Sequence, residues 1–469
     1  MNIFKGIANF YKEPPAIEPI TDQEQIDKTY AKWRMRIFLS MFFGYIIFYT
    51  CRKNLSAAIP ALHEALGYSM TELGLLSSSL YFTYAAGKFI NGVIADNTNV
   101  KKILPTALFI SALANILFVA AAYLIPAETK ITFFGLPPFS VLLWFLAFLW
   151  GVNGWFQSMG FPPIAKNLSY WFSNKERGIK WSLWSSSHEL GTYLSMVLSG
   201  YLITHFSWQM VFIVPAGISI LYCYFFYKNL QDKPSTIGLP DIEKYKDPNY
   251  VEPVQQKDDE AELTYNDIFK KYILKNPTVW MLAIAYVFVY VVRNGTVDWL
   301  AMYQVTEKHI SISSALSRTK YLPLIGVFGT IGAGFVSDKL FKSRRAPVNI
   351  ICLAALPIIL YLFSINVNSG YNIPLDIFYI SLMGIFTCAP QVLIGGISAV
   401  ESSSKKVASA VTGFCGMFGY VGSILSGVGT GYIVDKFSWS AALNFWIISS
   451  LIALTICIFL LKGELKTKK

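Results

Sequence analysis

The sequence predicts an all-α membrane protein with 12 transmembrane helices in two six-helix halves. Hydrophobic residues make up 54% of the 469 residues and charged residues only 14%, whereas soluble globular domains carry about 25% charged residues. About a dozen stretches reach the roughly 20 apolar residues that a membrane-spanning helix needs. Three sequence patterns of the first half also recur, in the same order, in the second half.

The predicted spans form two groups of six on either side of a polar stretch. The first group covers residues 36–59, 71–95, 103–125, 139–163, 179–204 and 209–228. The second group covers residues 277–303, 320–341, 347–366, 374–399, 407–434 and 440–461. The chain therefore divides into an N-terminal segment (1–35), a first half (36–228), a connector (229–276), a second half (277–462) and a tail (463–469).

The net charge of +11 is typical of cytoplasmic loops, which collect Lys and Arg in membrane proteins. Most basic residues lie near the two chain ends and in every second loop, whereas the remaining loops have few. This asymmetry predicts that both termini and the connector are cytoplasmic. We expect a monomer in the lipid bilayer of a bacterial inner membrane, with no nucleic-acid partner.

The two halves repeat each other in three places. YIIFYTCR (45–52) matches YVFVYVVR (286–293), GVIADNTNVKK (92–102) matches GFVSDKLFKSRR (334–345), and GYLITHFSW (200–208) matches GYIVDKFSW (431–439). Each match joins the same element of the two halves. Two parallel six-helix repeats about an axis along the membrane normal are typical of the major facilitator fold.

The second of these matches predicts a cytoplasmic gate. Both copies read G-x-x-x-D and then a loop that ends in paired basic residues. The glycine permits close helix approach, and the carboxylate can hold basic residues at a neighbouring helix end. The predicted gate residues are Gly92, Asp96, Gly334, Asp338, Arg344 and Arg345. The alternative is a solvated charged turn without a gating role.

Two arginines occupy equivalent positions in the repeat, at mid-depth in predicted helices. A charge at that depth costs several kcal/mol and marks a functional site by default. Arg52 follows Tyr45 and Tyr49, and Arg293 follows Tyr290, at spacings that keep the side chains on one helix face. Guanidinium groups match phosphate oxygens bidentately. The pattern predicts a midplane anion pocket that suits phosphate.

Other ionisable residues lie at similar depth. Lys88 either adds positive charge to the pocket or extends toward the cytoplasmic end of its helix. His188 either lines the pocket or is a packing histidine. Asp298 is expected to pair with a basic neighbour or to close the outer gate. Lys53 and Glu189 are expected to face away from the pocket and to pair within the protein.

The chain has no set of residues that would make it an enzyme. There is no Walker phosphate loop, no nucleophile and base that could be placed together, and no Cys or His spacing typical of metal sites. We therefore predict a carrier driven by gradients, with no cofactor and no metal.

At these residues the chain resembles the organophosphate:phosphate antiporter family. The motifs that carry the resemblance are FYTCRKN, GKFINGVIADNTN, GWFQSMGFPP, YWFSNKERG, YVFVYVVRNGTVDW, SDKLFKSRRAP, APQVLIG and GFCGMFGYVGS. The resemblance implies that Arg52 and Arg293 bind phosphate and that Lys88 and His188 assist. It also implies cavity aromatics, each with core packing as its alternative role: Tyr45, Tyr49, Trp155, Trp184, Tyr290 and Tyr420.

The function implied is exchange of a small organic phosphate, either hexose 6-phosphate or glycerol 3-phosphate, for inorganic phosphate by alternating access. One alternative is a sugar-phosphate sensor with the same fold that signals to a membrane kinase. The other is a proton-coupled organic-anion transporter in which Glu189, Asp298 or His188 titrates.

Overall fold

The computed structural model describes residues 6, 9–96, 98–126, 130–131, 139–247, 250, 273–366, 372–399, 402 and 408–467, without the side chains of residues 89, 93, 96, 408–410 and 463–467. Half of the predicted connector and the last residues of the predicted tail lie outside this description. The described chain is almost entirely helical.

Eight helices form the first half. They are α1 (Gln23–Thr50), α2 (Asn54–Leu66), α3 (Met70–Asp96), α4 (Val100–Leu124), α5 (Val141–Ser158), α6 (Phe161–Trp171), α7 (Asn174–His205) and α8 (Met210–Asn229). The pairs α1–α2 and α5–α6 each make one crossing, so the half has six crossings. Strands β1 (Lys130–Ile131) and β2 (Phe139–Ser140) pair antiparallel before α5, with Lys130 opposite Ser140.

The second half follows a 3₁₀ turn (Pro234–Ile237) and the short helix α9 (Ile242–Lys246). Its helices are α10 (Pro277–Glu307), α11 (Ile312–Thr319), α12 (Tyr321–Leu340), α13 (Ala346–Ile365), α14 (Ile373–Val392), α15 (Ala408–Ile424), α16 (Thr430–Lys436) and α17 (Trp439–Thr467). Two π-helical turns interrupt it, Leu393–Ser398 after α14 and Leu425–Gly429 between α15 and α16.

Within the described residues, nine helical segments are long and apolar enough to cross a membrane. The three other crossings, made by α1 with α2, by α3 and by α7, carry polar and charged residues such as Lys88 and Glu189, which lower their hydropathy. Large apolar side chains such as Phe148 and Ile358 are exposed on the outer surface. An apolar surface of this extent fits a lipid environment, and the chain is a multi-pass membrane protein.

The first crossing is broken, where the sequence predicts one helix over 36–59. Cys51, Arg52 and Lys53 form a turn between α1 and α2. The break frees backbone carbonyls, which must find donors away from water. The side-chain amides of Asn115 and Asn153 donate to the Cys51 carbonyl at 3.1 and 2.8 Å. Amides from two neighbouring helices therefore stabilise the turn that carries Arg52 and Lys53.

We call the side on which α1 begins and α17 ends the terminal face, and the opposite side the distal face. At the distal face, Asp435 accepts hydrogen bonds from the backbone N–H groups of Met70 and Thr71 at 3.1 and 2.7 Å. Gly74 and Gly427 also bring α3 and the α15–α16 turn into backbone contact, since a Cβ on Gly74 would lie 2.5 Å from the Gly427 carbonyl oxygen. The two halves are thus closed together at the distal face.

The terminal face differs from the distal face in its described contacts. All hydrogen bonds and ion pairs that the structure describes between the halves lie at mid-depth or at the distal face. A Cβ added to Gly92, Gly334 or Gly413, which lie toward the terminal face, would meet no atom within 4 Å. Among the described residues, the polar contacts that join the two halves are therefore confined to mid-depth and the distal face.

The N-terminal segment and the start of the connector are attached to the first half. Glu13 forms ion pairs with Lys166 at the end of α5–α6 and with Lys233, the latter at 2.7 Å. Burial alone would raise the pKa of the Glu13 carboxyl, but hydrogen bonds from both lysines outweigh it and lower that pKa. Asp232 accepts from the Val100 N–H at 3.1 Å, and burial raises the pKa of its carboxyl.

Candidate functional site

Arg52 lies at mid-depth in an aromatic environment. Its Nη2 donates to the hydroxyl of Tyr420, on α15 of the other half, at 3.2 Å. Its guanidinium lies over the rings of Tyr84 and Tyr49, 4.3 and 5.1 Å from their centroids. Among the described residues it has no carboxylate partner, and its buried Nε has no hydrogen-bond partner. Arg52 therefore keeps an uncompensated positive charge, stabilised only by ring faces and a hydroxyl.

Arg293, its counterpart on α10, is compensated differently. Its Nη2 donates to Glu189 Oε1 at 2.6 Å, across the two halves, and both side chains are buried. Its Nη1 makes a long contact of 3.4 Å with Asn294, and its Nε has no partner in the part of the chain described. Glu189 thus pairs within the protein, as expected, but it does not face away from the pocket, because its carboxylate binds one of the two predicted phosphate ligands.

A second buried ion pair lies next to the arginines on the distal side. Lys53 Nζ lies 2.9 Å from Asp298 Oδ1. Ser56 and Tyr81 donate to the same carboxylate at 2.7 and 2.6 Å. Asp298 thus pairs with a basic neighbour, as expected, and the group joins the two halves. Its net charge is zero, so it adds little to the attraction of an anion.

His188, on α7, is surrounded by aromatic rings of α1 and α7. Its ring lies 4.8 Å from Tyr45, 5.4 Å from Tyr49 and 5.0 Å from Trp184, centroid to centroid. Its Nδ1 bonds the backbone carbonyl of Ser185. This bond holds the ring in place and directs Nε2 away from its own helix. Trp184 is itself fully buried, so it supports His188 rather than lining an open surface.

Lys88 belongs to the layer around Arg52. Its Nζ lies 5.5 Å from the ring centroid of Tyr420, and a Cβ on Gly416 would lie 2.4 Å from that nitrogen. Of the two alternatives, contact with Tyr420 agrees with a charge that belongs to the pocket. Tyr420 thus contacts both Arg52 and Lys88.

Tyr290 lies on the second-half side of this layer. Its hydroxyl accepts from Tyr286 at 3.2 Å and from the Gln391 side chain at 3.4 Å. Its ring lies 6.0 Å from that of Tyr420. The tyrosines of α10 and α15 therefore form one polar wall next to Arg52.

Trp155 lies elsewhere. It lines an apolar groove together with Leu75, Phe82, Trp144, Phe148 and Ile424. The side chains of Phe82 and Phe148 are 66% and 65% exposed, which places the groove at the lateral, lipid-facing surface. Trp155 makes none of the described ring contacts with Arg52 or His188. The structure therefore places Trp155 outside the predicted group of cavity aromatics.

The second predicted gate loop folds around an ion pair. Asp338 Oδ1 lies 2.6 Å from Arg345 Nη1 and accepts from the Ser343 hydroxyl at 3.0 Å. Ser337 donates to the carbonyl of Arg344 at 2.8 Å. Arg345 immediately precedes α13, so the carboxylate holds a basic residue at a neighbouring helix end.

The first gate loop is described only in part. Gly92 lies within α3, and open space surrounds the position of a Cβ there, as it does at Gly334. The side chain of Asp96 lies outside the described residues. The described ion pair of the gate loops, between Asp338 and Arg345, lies within the second half.

Sequence reasoning missed Tyr81 and Tyr84 on α3. They lie seven and four residues before Lys88, a spacing that places all three on one helix face. A similar spacing, of seven and three residues, singled out the tyrosines before the arginines. The sequence therefore contained a spacing that points to these two tyrosines.

The arrangement is suited to an anion with a tyrosine-lined neighbourhood. Three cations, Arg52, Arg293 and Lys88, lie with one carboxylate, Glu189. This surplus of positive charge favours an anion such as a phosphate monoester, which carries about −1.5 to −2 charges at pH 7. Across the described residues, no group of His, Cys, Asp and Glu could hold a metal ion.

Comparison with known proteins agrees with the fold and the site. Residues 41–394 match the family model of the Major Facilitator Superfamily. A "Probable hexose phosphate transport protein" of Chlamydia muridarum is 36% identical over 97% of this chain and 96% of its own length. The "Glycerol-3-phosphate transporter" of Bacillus subtilis is 36% identical over 95% and 96%, and the "Membrane sensor protein UhpC" of Escherichia coli 32% over 95% and 95%.

Solved structures show the same fold at low sequence identity. An inward-facing, unoccupied bacterial homologue of the lysosomal transporter Spinster superposes with a TM-score of 0.66 at 16% identity, covering 92% of this chain and 95% of that one. A D-xylose–proton symporter superposes with a TM-score of 0.68 at 13% identity, covering 91% and 97%.

The fold and the family match place the chain among the Major Facilitator Superfamily transporters rather than the enzymes, and the transport proteins named above are of this class. Within it, the chain belongs to the organophosphate:phosphate antiporter family of the Major Facilitator Superfamily.

Proposed function

We propose that this protein exchanges a small organic phosphate, either hexose 6-phosphate or glycerol 3-phosphate, for inorganic phosphate. The relatives whose names include hexose phosphate and glycerol-3-phosphate match nearly the whole chain. They support the two substrates equally. The Lys and Arg pattern supports a terminal face in the cytoplasm of a bacterial inner membrane.

The observation that carries the proposal is the pair of buried arginines, one from each half. Arg52 and Arg293 both lie within electrostatic range of Tyr49, and each has a buried Nε without a partner among the described residues. Paired N–H donors of this kind are what a phosphate group accepts from. A ligand that binds both would contact both halves at once.

Exchange follows from the charge at Arg52. Closing the site around an uncompensated guanidinium removes the charge from water, which is costly in a low dielectric. Glu189 compensates Arg293 only, and Lys88 adds a further positive charge. A phosphate group, inorganic or organic, neutralises this surplus and lowers the barrier to closure. The empty carrier therefore returns slowly, and transport proceeds as exchange by rocking of the halves.

Proteoliposomes loaded with inorganic phosphate test the proposal. We expect uptake of labelled glucose 6-phosphate or glycerol 3-phosphate that requires internal phosphate. Arg52→Lys and Arg293→Lys should each lower uptake at least about 30-fold, since losing a buried bidentate contact costs about 2 kcal/mol or more.

The matched control is Arg36→Lys, at an arginine of α1 that is exposed rather than buried at mid-depth, and it should transport like the wild type. Uptake that is equally fast without internal phosphate would contradict exchange. Wild-type transport that survives both buried substitutions would contradict the phosphate site.

The similarity to a membrane sensor protein favours one second candidate, a sugar-phosphate receptor. A receptor would bind sugar phosphate through the same arginines but would not mediate counterflow. Binding by the purified protein together with no uptake in loaded vesicles would therefore favour the receptor.

A further inference from the structure

Glu189 places a negative charge where an anion is proposed to bind. It follows His188 directly on α7, its side chain is 4% exposed, and its Oε1 pairs with Arg293 Nη2 at 2.6 Å. Its second oxygen, Oε2, is buried and has no hydrogen-bond partner within the described structure. A carboxylate this buried depends on Arg293 to remain charged, because an isolated buried charge is costly.

A phosphate group at Arg293 takes this compensation away. If the phosphate displaces Glu189, the carboxylate is left buried without its cation. If the phosphate binds beside it, through the unpartnered Nε of Arg293, two anionic groups share one guanidinium. Like charges within about 4–6 Å favour the protonated form of a carboxyl group. By either route, phosphate binding raises the affinity of Glu189 for a proton.

The charged and titratable groups around Glu189 come from several helices. Besides Arg293 on α10, they include Tyr49 on α1, Cys388 on α14 and its neighbour His188, and Arg52 interacts with the same Tyr49 and His188. None of the described hydrogen bonds or ion pairs joins Glu189 to α2, α6, α8, α11 or α12, the other helices packed on α7. Among the described ion pairs, Arg293 is the cation paired with Glu189, whereas Arg52, the second arginine of the site, makes no described ion pair with it.

We propose that Glu189 takes up one proton when a phosphate group binds, so that the site loads phosphate and proton together. The proton adds to a carboxylate oxygen and comes from water or from the phosphate monoanion, which then becomes the dianion. It leaves when Glu189 pairs with Arg293 again. This inference rests on the proposed function, because it requires phosphate at Arg293.

The sign of the pH dependence follows by linkage. The complex binds one more proton than the free protein, so phosphate affinity rises as the pH falls. Inorganic phosphate also titrates near neutral pH, but that contribution is the same in every variant. The difference between the wild type and Glu189→Gln therefore isolates the proton at Glu189.

Calorimetric titration of the purified full-length protein with inorganic phosphate, at pH 6, 7 and 8 and in two buffers of different ionisation enthalpy, tests the proposal. We expect the wild type to take up about one proton more per phosphate than Glu189→Gln, and its Kd to fall by up to about ten-fold per pH unit beyond that of the variant. Glu189→Gln should also bind more tightly than the wild type at pH 8, because it lacks the competing carboxylate.

Two variants serve as controls. Glu64→Gln makes the same change at an exposed carboxylate of α2 and should retain the wild-type proton uptake. Glu189→Asp keeps a titratable carboxyl and should retain most of the pH dependence, which separates proton binding from a purely structural loss in Glu189→Gln.

Equal proton uptake in the wild type and Glu189→Gln, with phosphate still bound, would overturn this inference and leave the proposed function standing. Absence of phosphate binding to the wild type at all three pH values would overturn the proposed function, and this inference with it.

Discussion

The two arginines of the repeat are equivalent in sequence but differ in their partners. Arg52 is held by tyrosine rings and one hydroxyl, whereas Arg293 is held by a carboxylate. Ring faces attract a cation without cancelling its charge. Arg52 is therefore available to an incoming anion at once, and Arg293 must first exchange or share its partner.

Tyr420 connects this layer, because it accepts from Arg52 and lies beside Lys88. Replacing Tyr420 with Phe keeps the ring but removes the hydroxyl that positions the guanidinium. We expect phosphate affinity to fall about five-fold, the effect of losing a net contribution of about 1 kcal/mol.

Binding of inorganic phosphate by calorimetry checks this prediction. Tyr432→Phe, at a tyrosine that is 51% exposed, is the matched control. An unchanged affinity in Tyr420→Phe would mean that the rings alone hold Arg52.

For single residues, the sequence predicted which side chains lie at the site better than it predicted their partners. The repeat located Arg52 and Arg293, since charges inside apolar segments stand out. The pairing of Arg293 with Glu189 was missed because it forms between helices distant in the chain. Trp155 was misplaced because its orientation depends on how α5 is rotated against α3. A helix with apolar residues on all sides does not determine that rotation.

Among the elements, the positions of the crossings were predictable because bilayer thickness sets their length. The second, third and sixth predicted spans agree with α3, α4 and α8 within a few residues. The break in the first crossing was not predictable, because the amides of Asn115 and Asn153 that stabilise it come from other helices. The polar residues from Gln23 onward also extend α1 beyond the predicted span, since they lie outside the bilayer and can be helical in water.

The N-terminal segment depends on Glu13, which pairs with Lys166 and Lys233. We expect Glu13→Gln to release this segment, so that trypsin cleaves after Lys12 several times faster at neutral pH. Limited proteolysis of the purified protein measures the change. Glu18→Gln, at a nearby carboxylate without a described ion pair, should leave the rate unchanged, and an equal rate in Glu13→Gln would contradict the anchor.

The pH dependence of this anchor has a definite sign. The pKa of Glu13 is lowered from 4.5 in the folded state, so its stabilisation is present above about pH 4.5 and is lost as the pH falls through the folded-state pKa. The pKa of Asp232 is raised by burial, so its protonation favours the folded state as the pH falls. Protonation of Glu13 should therefore release the N-terminal segment at acid pH, and protonation of Asp232 should oppose this release.

For the molecule as a whole, closure at the distal face depends on close backbone contact. A Cβ on Gly74 would lie 2.5 Å from a backbone oxygen of the other half, and backbone cannot move aside as a flexible side chain can. Gly74→Ala should therefore shift the population toward a distal-open state, by about five-fold for each 1 kcal/mol of strain.

Alkylation of a cysteine introduced at Ala61, which is buried between the halves near the distal face, measures this shift. A membrane-impermeant maleimide should react faster with this cysteine in the Gly74→Ala variant than in the protein that keeps Gly74. Gly217→Ala, where a Cβ meets nothing within 4 Å, is the control. Identical rates in all three proteins would show that this contact does not hold the distal face closed.

The two π-helical turns, Leu393–Ser398 and Leu425–Gly429, both lie in the second half, and the described helices of the first half contain none. A π turn inserts an extra residue and weakens the regular hydrogen-bond ladder of a helix. Bending stiffness is therefore distributed unequally between two copies of a duplicated sequence. We expect the first half to move as a rigid body while the second also changes shape, and amide hydrogens in the two turns to exchange before those of the matching first-half helices.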